Sequence, residues 1–400
     1  MGYKEIKEGI YWVGAIDWDR RIFDELVSTP HGTSYNAYLI KDEKTVLIDT
    51  VEPYLQDILI TNLKDAGVEK IDYIVSNHAE QDHSGTIPLL LEMYPEAKVI
   101  TNPKCKELLI EHLDIDESKF ITVSDKETIS IGKRTLQFFY TPWVHWPETM
   151  STYIPEENII FTCDLFGAHL ATSEIFSSEN WAEVEIEVKR YYAEIMMPFR
   201  IHIRKYLELM RQLGVDMIAP SHGPVHNDTE KILSTYEQWV SDTVKDLVTI
   251  AYVSMHGSTY EAVRVLEREL LRRNVDVKIY NLTKTDPGEF AMTLVDTATL
   301  VFATPTVLAS AHPSIIYFAH LVRALRPKAK NLAIINSYGW GGMTIKQIED
   351  ILGILKLNKL PYVSFKGKIN NETIQAITKL ADEIEKATLN TVKTCPETGC

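Results

Sequence analysis

Asn77-His78-Ala79-Glu80-Gln81-Asp82-His83-Ser84-Gly85 follows directly on Ile71-Asp72-Tyr73-Ile74-Val75. The apolar run predicts a buried strand, and the polar stretch predicts a loop leaving its C-terminal end. His78, Glu80, Asp82 and His83 are too closely spaced for a helix to use them all in one direction. A loop can aim all four at one point, so the stretch reads as a metal site rather than an ordinary polar turn.

Three later strands end the same way. Leu136-Gln137-Phe138-Phe139-Tyr140 runs into Thr141-Pro142-Trp143-Val144-His145-Trp146-Pro147, where prolines and tryptophans stiffen the segment around His145. Taken alone, His145 reads equally as a core-packed histidine. Asn158-Ile159-Ile160-Phe161-Thr162-Cys163-Asp164 ends an apolar strand on a carboxylate, which is costly to bury without a cation or donors. Met217-Ile218-Ala219-Pro220-Ser221-His222-Gly223-Pro224 again delivers a histidine from an apolar strand. Recurrence at four separate strand ends favours a shared centre. It would hold His78, Glu80, Asp82, His83, His145, Asp164 and His222, more ligands than one ion uses. With Asp164 bridging two ions the rest divide evenly: His78, Glu80 and His145 on one, Asp82, His83 and His222 on the other.

The chain has 400 residues, too many for one hydrophobic core, so two domains are expected, 1–245 and 246–400. With 45% hydrophobic and 24% charged residues it is ordinarily globular, and a net charge of −15 argues against nucleic-acid or anionic-membrane partners. The N-terminus lacks an apolar signal core and no stretch matches a membrane span, so a cytoplasmic protein is expected. None of the four cysteines forms a C-x-x-C pair, which argues against an iron–sulfur or rubredoxin site. Cys395 and Cys400 read as free thiols in a tail.

In the first half, strands and helices alternate: a hairpin across residues 41–44, a helix over 54–66, and further helices at 87–94 and 104–113. Beyond residue 245 the rhythm becomes regular. Strands at 248–253, 276–280, 300–303, 332–335 and 362–365 alternate with helices at 259–273, 288–296, 313–325, 344–354 and 371–387, which predicts a doubly wound parallel sheet. The first strand opens into Ser254-Met255-His256-Gly257-Ser258-Thr259, whose hydroxyls and helix-start amides suit a phosphate. A plain Ser/Thr cap is the alternative for this loop alone. Two other strand ends share its sheet edge, at Pro305-Thr306-Val307 and at Ser337-Tyr338-Gly339-Trp340-Gly341. Trp340, among glycines, suits a flat aromatic ligand. No Gly-x-Gly-x-x-Gly follows a strand, which argues against a Rossmann-type dinucleotide.

The ligand pattern resembles the metallo-β-lactamase fold, an αββα sandwich whose usual loop reads His-x-His-x-Asp-His. Glu80 stands where that family has its second histidine. The exchange moves preference toward harder, redox-capable ions such as iron or manganese, with zinc still open. The second half resembles flavodoxin, and the resemblance implies FMN. Together the halves resemble the flavodiiron proteins on His78-Ala-Glu80-Gln-Asp82-His83, Trp143-Val-His145-Trp-Pro, Cys163-Asp164-Leu-Phe-Gly167, Pro220-Ser-His222-Gly, Ser254-Met-His-Gly-Ser-Thr259 and Tyr338-Gly-Trp340-Gly-Gly. That family reduces O2 to water, NO to nitrous oxide, or both, at two iron ions fed through FMN, in the cytoplasm of anaerobes. The resemblance implies a head-to-tail homodimer or dimer of dimers, and rubredoxin or reduced F420 as external electron donor.

Two departures stand out. Many members carry a histidine before the Gly-Thr-x-Tyr-Asn-Ala-Tyr stretch where Asp24 stands here, with His31 nearer Gly32. Val307 and Leu308 replace an Asn pair common in the family, so only their backbone atoms are carried over as FMN contacts. Two other classes fit parts of the pattern. Glu80 and the flavin half oppose a dizinc hydrolase; the full ligand set opposes a non-catalytic flavin electron carrier.

Overall fold

The structure is a computed structural model and describes residues 2–394. Cys395 and Cys400, read above as free thiols, lie outside the described residues. By contacts the chain divides into two units. The first runs to Tyr192 and resumes over Phe199–Glu237; the second takes Ala193–Pro198 and the chain from Gln238. The division thus falls within the helix Thr229–Val240, ahead of residue 245. That helix buries Ile232, Leu233 and Tyr236, and the Tyr236 ring packs 4.7 Å from Phe166, which ties these residues to the first unit.

In the first unit, one sheet orders Lys4–Lys7, Ile10–Trp12, Tyr38–Lys41, Thr45–Ile48, Tyr73–Val75, Lys98–Thr101 and Phe120–Thr122. The other orders Thr128–Ser130, Thr135–Tyr140, Met150–Ile154, Ile159–Cys163 and Met217–Pro220. Side chains of both sheets meet in one buried cluster: Tyr38, Ile40, Val46, Ile48 and Val75 from the first, Leu136, Phe138, Ile159 and Phe161 from the second. This is the sandwich that the resemblance implied. The expected hairpin is present, with Tyr38 facing Ile48 and Lys41 facing Thr45.

Topology brings the donor-bearing ends together. Ile159–Cys163 and Met217–Pro220 are parallel neighbours, so Asp164 and His222 emerge on one edge. The Ser221 amide donates to the Cys163 carbonyl at 2.8 Å just beyond the ladder. Across the sandwich, the Met150 amide donates to the Asn77 carbonyl at 2.9 Å, joining the second sheet to the start of the ligand loop. That loop differs from the sequence expectation in one respect. Residues Gln81–Ser84 form a single helical turn, because the His83 and Ser84 amides both bond Glu80 O at 3.0 Å and Ser84 Oγ bonds back to Ala79 O at 2.8 Å.

In the second unit five parallel strands order as Asp276–Asn281, Leu247–Tyr252, Thr299–Val307, Asn331–Tyr338 and Val363–Lys366, with the short Asn358–Lys359 also paired to Asn331–Tyr338. The first strand in sequence lies inside the second, which is the flavodoxin-like order, and ligands bind at the carboxyl edge of such sheets. Helices Ser258–Leu271 and Asn371–Thr394 bury Val263, Leu266, Leu270, Ile377, Leu380 and Ile384 on Val248, Ile250, Val301 and Ile335. Pro287–Leu294 and Pro313–Leu325 bring Phe290 and Phe318 edge to face at 5.2 Å.

Candidate metal centre and cofactor cleft

All seven predicted donors converge. His78, Glu80, His145 and Asp164 form one group, and Asp82, His83 and His222 a second, the donor atoms of each lying within 4.8 Å of one another. Asp164, 1% exposed, joins the two with its separate oxygens. Its Oδ1 lies 2.9 Å from His83 Nε2 and 3.5 Å from His222 Nε2. Its Oδ2 lies 3.5 Å from His145 Nε2 and 3.6 Å from His78 Nε2. Glu80 Oε2 stands 3.1 Å from His78 Nε2 and 3.2 Å from His145 Nε2, and Asp82 Oδ2 stands 3.2 Å from both His83 Nε2 and His222 Nε2.

These separations test whether a cation fits. Metal–ligand bonds of about 2.1 Å place neighbouring donors roughly 3.0 Å apart in an octahedron and roughly 3.4 Å apart in a tetrahedron. The observed contacts, from 2.9 to 3.6 Å, bracket both. Both Asp82 oxygens are buried without a hydrogen-bond partner, a condition that a bound cation relieves.

The electrostatics agree. Burial opposes a charged imidazole, yet Asp82 and Asp164 push His83 up to about 10. Against the same burial, Asp164 and Glu80 push His145 up to about 9, and Glu148 with Glu80 raises His78 well above its ordinary range. Burial would raise Asp164, but His83, His145 and His78 hold it well below the usual carboxylate range. The pocket therefore favours positive charge at its centre.

The support around the donors was not visible in the sequence. His78 Nδ1 bonds Glu148 Oε1 at 2.6 Å, and His222 Nδ1 donates to the Ser34 carbonyl at 2.7 Å. Asp49 accepts from Asn77 N at 2.8 Å and Nδ2 at 2.9 Å, pinning the loop entry. His169, buried beside His222 with ring centroids 4.9 Å apart, packs on Phe23 and Tyr191 and meets Thr33 Oγ1 at 2.9 Å. Burial, then His222, holds the His169 imidazole well below its ordinary range, hence neutral. Only Glu148 had a local signal, a carboxylate three positions after His145 in a stiff segment.

Asp24 lies at the exposed tip of the hairpin Ile22–Phe23 and Val27–Ser28, next to Phe23, which touches His169 and His222. Partial desolvation, then Glu80 and Asp82, raise its carboxyl to about 6. His31 instead turns to Glu187, with Nδ1 3.0 Å from Oε1.

In the second unit a cavity of about 430 Å³ opens at the carboxyl edge of the sheet. It is lined by Ser254, Met255, His256, Ser258 and Thr259, by Pro305 and Thr306, and by Ser337, Tyr338, Gly339 and Trp340. Gly367 and Lys368, which the sequence reading missed, complete the lining. Gly257, Val307 and Gly341 were expected there and are not among the lining residues. Gly257 caps the helix Ser258–Leu271 with φ 93°, a conformation suited to glycine, while Val307 pairs with Ser310 in a hairpin. Gly341 lines a neighbouring cavity together with Tyr338. Thr259 Oγ1 and Ser337 Oγ, 2.8 Å apart, tie two of the loops, and Trp340 is 71% exposed at the rim. Hydroxyls at a helix start and an exposed indole fit a ligand with a phosphate and a flat ring.

A family described as ODP family beta lactamase matches residues 33–223. A nitric oxide reductase of Moorella thermoacetica is 36% identical over 88% of this chain and 90% of its own length. A coenzyme F420H2 oxidase of Methanothermobacter marburgensis is 32% identical over 87% and 89%. Among solved structures, the rubredoxin oxygen:oxidoreductase of Desulfovibrio gigas superposes with TM-score 0.93 at 28% identity over 98% of this chain and 99% of that one. The flavodiiron protein of Giardia intestinalis does so with TM-score 0.93 at 27% identity over 98% of each. With relatives of this similarity along nearly its whole length, and a sandwich domain joined to a flavodoxin-like one, the chain is an oxidoreductase that belongs to the flavodiiron protein family.

Proposed function

We propose that this chain reduces O2 to water, NO to nitrous oxide, or both, at two iron ions bridged by Asp164, with electrons relayed through FMN from an external donor. The observation that carries the reading is the division of the Asp164 oxygens between two donor groups, one of which contains Glu80. His78, Glu80 and His145 would hold one ion, and Asp82, His83 and His222 the other. The loops at 254–259, 305–306 and 337–340 would hold FMN, with Gly367 and Lys368 beside them. When bound, the irons supply one-electron redox chemistry and a place for the gas, and the flavin supplies electron pairs that it can release singly.

The chain's own residues set the conditions. Three carboxylates place anionic oxygen at both positions, which favours the higher iron charge. Trp146 stands edge-on to His78 at 4.8 Å and shields that side from water. Asp24 offers a carboxyl at the rim where many members have an imidazole, so the proton-handling group there is an acid.

The relatives' names supply the donors to try: rubredoxin from the Desulfovibrio enzyme and reduced F420 from the Methanothermobacter one. Transfer between copies of a head-to-tail homodimer or dimer of dimers in the cytoplasm completes the proposal. Among the described residues no helix is long and apolar enough to cross a membrane. The test is anaerobic stopped-flow of the photoreduced, iron-loaded protein against each gas. Flavin reoxidation that is no faster than in an Asp164→Ala variant, with both gases, would sink it.

A further inference from the structure

Three of the four imidazoles, His78, His83 and His222, differ in what holds the nitrogen facing away from the centre. His222 Nδ1 donates to a neutral backbone carbonyl, Ser34 O, at 2.7 Å. His83 Nδ1 is buried without a hydrogen-bond partner. His78 Nδ1 alone among these three meets a carboxylate, Glu148 Oε1, at 2.6 Å, and both side chains are 0% exposed. A carboxylate can only accept, so Nδ1 of His78 carries a proton, and Nε2, which faces Glu80 Oε2 and Asp164 Oδ2, is the nitrogen that would hold an ion.

Resting on the metal-centre reading above, we infer that Glu148 is a positioning residue that fixes His78 and strengthens it as a donor, making the His78/Glu80/His145 position electronically richer than the Asp82/His83/His222 position. A short bond to a buried anion shifts electron density onto the imidazole and raises its donor strength, and such outer partners typically matter about 10- to 100-fold in metal affinity. Two donors, His78 Nδ1 and the Ala79 amide, hold the charge at Oε1, and a third bond fixes the Glu148 backbone. Oε1 also accepts from the Ala79 amide at 3.2 Å, and Asn102 Nδ2 bonds the Glu148 carbonyl at 2.5 Å. Asn102 in turn caps the helix Pro103–Leu113, its side chain accepting from Cys105 N at 2.9 Å. Glu148 is thus anchored to a helix end independently of the metal donors. Glu80 and Asp82 give each position one carboxylate of its own, so Glu148 is the anionic group that distinguishes the two.

The test uses the full-length chain reconstituted with ferrous iron, read by Mössbauer spectroscopy and by chelator competition. Glu148→Gln keeps an oxygen that can accept from Nδ1 and from Ala79 N but removes the charge; Glu148→Ala removes both. The inference expects two iron signals in the parent, with Glu148→Gln shifting only the one that disappears in His145→Ala. It expects Glu148→Ala to release one ion at about 10- to 100-fold lower chelator concentration, and Glu148→Gln to recover part of that loss. Thermal unfolding of the metal-free forms identifies a variant that merely fails to fold, and Glu148→Asp then replaces it. Two intact iron signals that are unchanged, or that shift together, in Glu148→Gln would overturn the inference alone. A parent chain that binds no iron would overturn the metal-centre reading and this inference with it.

Discussion

Oδ1 of Asp164 lies 2.9 Å from Nε2 of His83, while its other oxygen is turned away toward the opposite donor group. A single carboxylate thereby touches both donor groups at once, so on the proposed reading its removal would not be local to either. Asp164→Ala is expected to reduce bound iron from two ions per chain to at most one and to abolish gas-dependent flavin reoxidation, as checked by metal analysis and stopped-flow. Retention of both ions would show that Asp164 is not a shared ligand.

Glu80 replaces the neutral nitrogen donor of the usual sandwich loop with an anionic oxygen, 3.1 Å from His78 Nε2 and 3.2 Å from His145 Nε2. Glu80→His is expected to move metal preference from iron toward zinc. The check is the zinc-to-iron ratio retained after equilibration with equimolar mixtures of the two ions. An unaltered ratio would mean that other donors set the preference.

Trp340, 71% exposed at the rim of the second unit's cavity, is free to cover a flat ring. Aromatic stacking contributes about 0.5–1.5 kcal/mol beyond buried area, so Trp340→Ala is expected to weaken FMN binding roughly 2- to 10-fold. Titration of the flavin-free protein with FMN, followed by flavin fluorescence, reads this directly. Equal affinities in the two proteins would remove Trp340 from the site.

His226 is buried, and Nε2 bonds the Phe166 carbonyl at 2.9 Å. Burial, only partly opposed by that bond, pushes its imidazole down to about 4. The unfolded chain, with an ordinary histidine value of about 6.5, therefore takes up the proton first. Stability from this group is present above about pH 6.5, falls as pH drops toward about 4, and is lost below that, by on the order of 3 kcal/mol. His226→Gln keeps a donor for Phe166 O and does not titrate, so its urea midpoint is expected to fall less than the parent's between pH 7 and 5. Parallel curves would rule out His226 as a source of acid sensitivity.

Much of the site was legible because its chemistry sits at the ends of apolar strands. The pattern of an apolar run followed by His, Asp or Glu is local, and each of the seven donors could be named from its own short segment. The loops of the second unit were legible for the same reason, since small and hydroxyl residues follow each strand. Gly257, Val307 and Gly341 belong to these loops but do not line the cavity. A hairpin at Val307 and a second cavity at Gly341 depend on how the loop turns, which composition does not encode.

The sequence by itself determined the parallel sheet of the second unit and the candidate donors, Glu80 among them, because these follow from hydrophobic period and side-chain type within a few residues. Only the tertiary structure decided which oxygen of Asp164 faces which imidazole, that Glu148 lies behind His78 and the Ser34 carbonyl behind His222, and that Gly367 and Lys368 complete the lining of the second unit's cavity. Those relations join groups from 70 to 188 positions apart in the chain at the site itself. Hydrogen bonds at that separation exist only once strand order and register are fixed, and no local pattern records them.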